Sequence, residues 1–254
     1  MKYVMAIAAC TMFCVSVHAE SLITINGKTI RTSGNNIAIN NGMVIIDGKV
    51  MTGSDSYDVT KGSGKIVTQT REFPIFQELE VDISANVRVS TGNRARCSIK
   101  GDDNILPLIS FYVKDGRLLI SCEKSFTTKN RIEINLQVPG LTRVVLNGSG
   151  RINLDGVAKE KVSLEIRGSG DISGEGKTKD VLASIVGSGN LLLQELKATN
   201  VRVVLNGSGN ARVSATDTLS GEINGSGDIV YSGSPRTVNT VVHGSGNINR
   251  ERMD

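Results

Sequence analysis

Apolar and polar residues alternate along most of this chain, and from Leu141 onward the alternation locks to a fixed interval. The triplets Gly148-Ser149-Gly150, Gly168-Ser169-Gly170, Gly187-Ser188-Gly189, Gly207-Ser208-Gly209, Gly225-Ser226-Gly227 and Gly244-Ser245-Gly246 follow one another at steps of 20, 19, 20, 18 and 19 residues. Two residues before each triplet stand Leu146, Ile166, Ile185, Leu205, Ile223 and Val242. Four after its first glycine stand Ile152, Ile172, Leu191, Ala211, Ile229 and Ile248. A near-constant period with apolar columns on both sides of a constant turn marks a supersecondary unit stacked on copies of itself. Strands alternate inward and outward side chains, so the columns face a core while Glu165, Arg202, Glu222 and Asn239 face out. The pattern predicts an all-β, right-handed parallel β-solenoid with coils of about 19 residues. Each coil is its own crossover between parallel strands, and no connecting helix is needed.

The triplets then read as structural corner turns. Glycine supplies backbone angles that other residues resist, and its missing side chain lets corners stack. Serine is placed to bond along the column. The residues after the triplets, Arg151, Asp171, Asn190, Asn210, Asp228 and Asn247, are mostly Asn and Asp, which bond locally and stack into ladders.

Three stretches precede the strict repeat. Residues 1–19 begin with Lys2 and run uncharged and mostly apolar from Val4 to Val17. Small residues end the run, so they read as a signal peptide cleaved before Glu20. A lipid-attachment site at Ile7-Ala8-Ala9-Cys10 is disfavoured, because nine residues leave almost no apolar run before it. Residues 20–51 carry Asn26-Gly27, Asn41-Gly42 and Asp47-Gly48 between short alternating runs, which predicts a small N-terminal segment of β-hairpins. Residues 52–72 are polar and read as a linker, leaving 73–250 as the solenoid domain.

Composition narrows the chemistry. Removing Lys2 with the signal leaves 28 basic against 25 acidic residues, scattered along the chain, so no nucleic-acid footprint is expected. No later stretch approaches the roughly 20 apolar residues needed to span a membrane. Once Cys10 and Cys14 leave, Cys97 and Cys122 remain. Export favours a disulfide between them, and two separate buried thiols are equally compatible with the sequence.

The runs "FQELEVDISANVRVSTG", "IKGDDNILPLISFYVKDGRLLIS" and "QVPGLTRVVLNGSG", followed by repeated Gly-Ser-Gly-Asp/Asn, resemble the bacterial auto-transporter adhesin, head GIN domain family, over about residues 73–249. The resemblance implies a β-solenoid-like fold and a surface or adhesive role. It supplies no catalytic residues.

Enzymatic candidates are few. Asp171 and Asp228 share a column but stand three coils apart, about 14 Å at the strand spacing. That exceeds the ~5 to 9.5 Å that glycosidase carboxylates require. Asp102-Asp103 is expected to be a solvated turn, and His243 a solvated strand end. Calcium would need a carboxylate-rich column, whereas here two Asp stand among three Asn and Arg151. Neither cofactor nor metal is expected. The expected function is an exported, non-enzymatic binding module for a protein or glycan at the cell envelope or a host surface, with self-association through the solenoid ends. The alternative is a carbohydrate-active enzyme on the same scaffold.

Overall fold

The structure is a computed structural model that describes residues 59–251 with their side chains and, before them, the backbone of seven short strands between Val4 and Met51. The chain divides into two compact units, Met1–Val59 and Thr60–Asp254. No helix among the described residues is long and apolar enough to cross a membrane.

In the first unit short strands form antiparallel pairs. Ser21–Ile25 lies antiparallel to Lys28–Thr32, with Ile25 opposite Lys28. Asn36–Asn40 pairs with Met43–Ile46, and that strand with Lys49–Met51. The two-residue gaps are the Asn-Gly and Asp-Gly steps, which lie outside the described residues, as does the cleavage point before Glu20. Within residues 1–19, Val4–Ala6 and Phe13–Ser16 are short strands paired with this unit.

The second unit is the expected β-solenoid, formed by two long ladders that meet at the glycine corners. The first ladder stacks Arg117–Cys122, Glu78–Val81, Arg143–Gly148 and Lys161–Gly168. It continues through the C-terminal halves of Asp171–Gly187, Asn190–Gly207 and Asn210–Gly225 to Thr237–Gly244. The second stacks Glu133–Val138, Asn86–Thr91 and Arg151–Val157. It continues through the N-terminal halves of the same long strands to Ile229–Ser232 and Ile248–Arg250. All of these pairings are parallel.

The apolar columns stack in register as the spacing requires. Leu146 sits over Ile166, then Ile185, Leu205, Ile223 and Val242, and all but Val242 are fully buried. Burying one such side chain stabilises the fold by about 1.5–3 kcal/mol. Val242 remains exposed because its coil is the last described and no described residue covers it.

Stacking order departs from chain order near the start. The coil formed by Glu78–Val81 and Asn86–Thr91 is laid first. The chain then drops below it to form the coil of Arg117–Cys122 and Glu133–Val138, and returns above it at Arg143. At that lower end parallel pairing stops. Ile109–Lys114 lies antiparallel on Arg117–Cys122, while Ala95–Asp102 lies antiparallel on Glu133–Val138 and carries Ile66–Phe73 outside it. Ile66–Phe73 corrects the linker expected over 52–72. Alternate residues of this strand are half-buried, and its partner Ala95–Asp102 follows far along the chain, out of reach of local pattern.

Candidate functional site

Each corner uses its two glycines for different reasons. Gly187 has φ +127°, and a Cβ there would lie 2.4 Å from the Gly168 carbonyl oxygen of the coil below. Gly189 needs no unusual φ, yet its Cβ would meet the Gly170 carbonyl at 2.3 Å. The central serine bonds along the column through its backbone. The N–H groups of Ser169, Ser188, Ser208, Ser226 and Ser245 donate to the preceding coil's first glycine at 2.9–3.0 Å. The triplet serines are themselves exposed, and this bonding along the column runs through their backbone amides.

The following column forms the expected polar ladder. Arg151 donates to Asp171 at 3.1 Å, Asn190 to the same carboxylate at 2.9 Å, and Asn210 to Asn190 at 3.2 Å. The Asp228 amide donates to Asn210 at 3.2 Å and the Asn247 amide to Asp228 at 2.8 Å. Both aspartates once considered for catalysis are therefore held in this ladder.

One corner lacks the triplet. Register places Ile83-Ser84-Ala85-Asn86 directly beneath Gly148-Ser149-Gly150-Arg151, with Val81 opposite Leu146 and Asn86 opposite Arg151. The Arg151 amide donates to the Ala85 carbonyl at 2.8 Å, as the later corners do to glycine. Gly148 (φ +103°) meets open space on this side.

Below that corner the coil does not turn at once. Between Cys122 and Glu133 the chain makes a longer excursion, and its return leg and the corner column together line an open groove of about 480 Å³. Ser84, Asn86, Ser149 and Arg151 form the corner side, and Phe126, Lys129 and Arg131 the excursion side.

The excursion is anchored by Asp102, which is 1% exposed rather than solvated. Its carboxylate accepts a hydrogen bond from the Thr128 hydroxyl, another from the Gly64 amide at 2.6 Å and a third from the Asn130 side-chain amide at 3.2 Å. The Thr128 hydroxyl bond above all, with the Gly64 and Asn130 donors, holds the Asp102 carboxyl below its ordinary range, against the opposing effect of burial. Asp103 accepts from the Ser63 hydroxyl at 2.6 Å and pairs with Lys65 at 3.3 Å. Asn104 accepts from the Ser63 amide and donates to the Lys61 carbonyl. The isolated Gly62-Ser63-Gly64 thus belongs to this latch, not to the corner column.

The remaining sequence candidates separate. Cys97 and Cys122 stand as two free thiols, the first buried and the second half-buried. Cys97 faces the core in the second ladder opposite Leu136, while Cys122 ends a strand of the first ladder opposite Ile109. Burial pushes the Cys97 thiol up to about 11. His243 lies on an exposed strand in register with Asn224.

The sequence carried a partial signal for the groove. "ISAN" keeps the serine and asparagine of the Gly-Ser-Gly-Asn corner, but without its glycines it does not register as a copy.

Comparison with known proteins places these features in context. The family profile described as "Putative auto-transporter adhesin, head GIN domain" matches residues 75–235. A "putative adhesin" from Bacteroides fragilis is 24% identical with a TM-score of 0.63, covering 75% of this chain and 99% of its own. A "putative lipid binding protein" from Parabacteroides distasonis is 19% identical with a TM-score of 0.50, covering 76% and 99%. At these identities the two structures speak to fold alone. No curated protein matches the chain.

Proposed function

Because the chain belongs to the auto-transporter adhesin, head GIN domain family, we propose that it is an exported, non-enzymatic β-solenoid that binds a protein or glycan partner. That partner belongs to the cell envelope or a host surface. The observation that carries this reading is the structural engagement of the aspartates the sequence offered as catalytic candidates. Asp171 and Asp228 bond along the corner ladder, and Asp102 is closed inside the latch. A carboxylate fully engaged in structural bonds is poorly placed to serve as general acid or nucleophile.

Residues 1–19 support export by their charge and apolar pattern. Two measurements test the reading together. Protease added to intact cells reports whether the solenoid is reachable from outside. Purified protein is then incubated with envelope and host-cell fractions and with a glycan-hydrolysis panel. Retention without turnover is expected; turnover would establish the carbohydrate-active enzyme instead.

Self-association through the solenoid end is a second reading, favoured by the last full strand. All eight residues of Thr237–Gly244 are exposed, including Val238, Val241 and Val242 at 40–51%. An unpaired strand edge of this kind invites another chain. Sedimentation across a concentration series is expected to show a dimer that Val241→Lys weakens.

A further inference from the structure

The groove beneath the first glycine corner has the composition of a binding site, and its wall is fixed in place before any ligand arrives. Along the excursion, side chains alternate. Thr128 and Asn130 turn inward to the Asp102 carboxylate. Lys129 and Arg131, between and beyond them, are exposed, and all four residues contribute to the groove lining. The buried latch therefore sets which way the two cations face. Neither pairs with a carboxylate among the described residues. Arg151 adds a third positive group opposite them, and the single lining acid, Asp171, is already shared between Arg151 and Asn190. Lys129 and Arg131 thus bring positive charge that the one lining carboxylate, already paired with Arg151, does not balance, while the Asp102 carboxylate lies behind the wall, bonded to Thr128 and Asn130.

Charge alone would suit any anion, but the rest of the lining is more selective. Ser84, Asn86 and Ser149 offer hydroxyl and amide groups matched to neutral hydroxyls, and Phe126 offers an apolar wall. A volume of about 480 Å³ far exceeds what a lone inorganic anion fills and lies within the range of small-molecule sites. Beyond the groove the exposed serines of the later corners continue in a line, one per coil. A chain-like ligand held in the groove could run along them.

We infer that this groove binds a carboxylate-bearing sugar residue of an acidic polysaccharide, with Lys129 and Arg131 holding the carboxylate and the corner serines and Asn86 its hydroxyls. The inference rests on the binding function proposed above and names the ligand class for it.

The test is calorimetric titration of the purified protein with oligogalacturonate and oligomannuronate, with the methyl-esterified oligogalacturonate, and with inorganic phosphate. Saturable binding of at least one acidic oligosaccharide is expected. Esterification, which removes charge and keeps the sugar, is expected to weaken it at least tenfold. The double variant Lys129→Glu/Arg131→Glu is expected to do the same with an unchanged melting temperature, since both side chains are exposed. Absence of binding to both acidic oligosaccharides overturns the inference. So does equal affinity for the ester, equal affinity for phosphate, or full binding by the double variant. Retention of wild-type protein on envelope or host-cell fractions, measured in parallel, separates the two failures. Retention with an inert groove removes the sugar and leaves the binding function, whereas loss of retention removes the function itself.

Discussion

The solenoid has a repeating body, from Arg143 to Arg250, and a head, from Thr60 to Val138, and the two solve the same stacking problem differently. In the body each coil rests on the coil just before it in sequence, so partners lie about 19 residues apart and every contact repeats. In the head the second coil to be laid lies beneath the first, and antiparallel strands replace parallel ones at the end. Repetition leaves the body little freedom for individual side chains. A corner glycine must remain glycine because the neighbouring coil's carbonyl occupies the space. The head, released from that constraint, is where the chain makes its longer excursion, buries a carboxylate and forms a cationic groove. In this molecule the repeat supplies extent and the irregular end supplies individuality.

Substitution at two corners breaks that comparison most sharply. Gly189→Ala forces a Cβ against the Gly170 carbonyl, which cannot withdraw without opening the ladder. A loss of about 3 kcal/mol is expected from overpacking of this kind. Gly148→Ala meets no neighbouring atom within 4 Å and suffers only its positive φ, a cost of about 1–2 kcal/mol. Urea denaturation of the two variants gives the ranking. Equal losses would mean that the corner stack is not what makes glycine necessary.

A smaller effect is expected at the head latch. Hydrogen bonds lower the Asp102 pKa in the folded state. Its contribution is therefore fully present above the unfolded carboxyl value of about 3.9. It is lost as pH falls through the depressed folded value. Asp102→Asn is expected to lower the melting temperature at pH 7 and to flatten its decline below pH 4. A variant that melts in parallel with the wild type across that window would show that Asp102 does not anchor the excursion.

The least perturbing comparison is between the two head thiols. With its thiol raised to about 11 and buried, Cys97 holds almost no thiolate at pH 8. Iodoacetamide on the native protein is expected to label Cys122 and spare Cys97 until denaturant is added. Mass spectrometry of the two peptides reads the result, and equal native labelling would contradict the core position of Cys97.

The same division explains how far the sequence could be read. Body columns such as Leu146–Ile166–Ile185–Leu205 were visible because each stacking partner recurs at the period itself. The head obeys the same physics with one-off partners. Ile66–Phe73 pairs with a strand that comes after the first coil, and no local pattern reports that. Asp102 in "GDDN" looked like a solvated turn because its donors, Gly64, Thr128 and Asn130, lie far from it in sequence. The Ile83-Ser84-Ala85-Asn86 corner escaped notice because its lower neighbour makes a longer excursion, which relieves the packing that demands glycine elsewhere.

The glycine corners build the body, while the proposed ligand contact belongs to the head groove. Backbone amide shifts during an oligogalacturonate titration test this division most directly. Saturable changes are expected at Ser84–Asn86, Lys129–Arg131 and Ser149–Arg151, with residues 207–210 and 225–228 nearly still. Changes of equal size at every Gly-Ser-Gly corner would contradict it, and would make the repeat itself the binding surface.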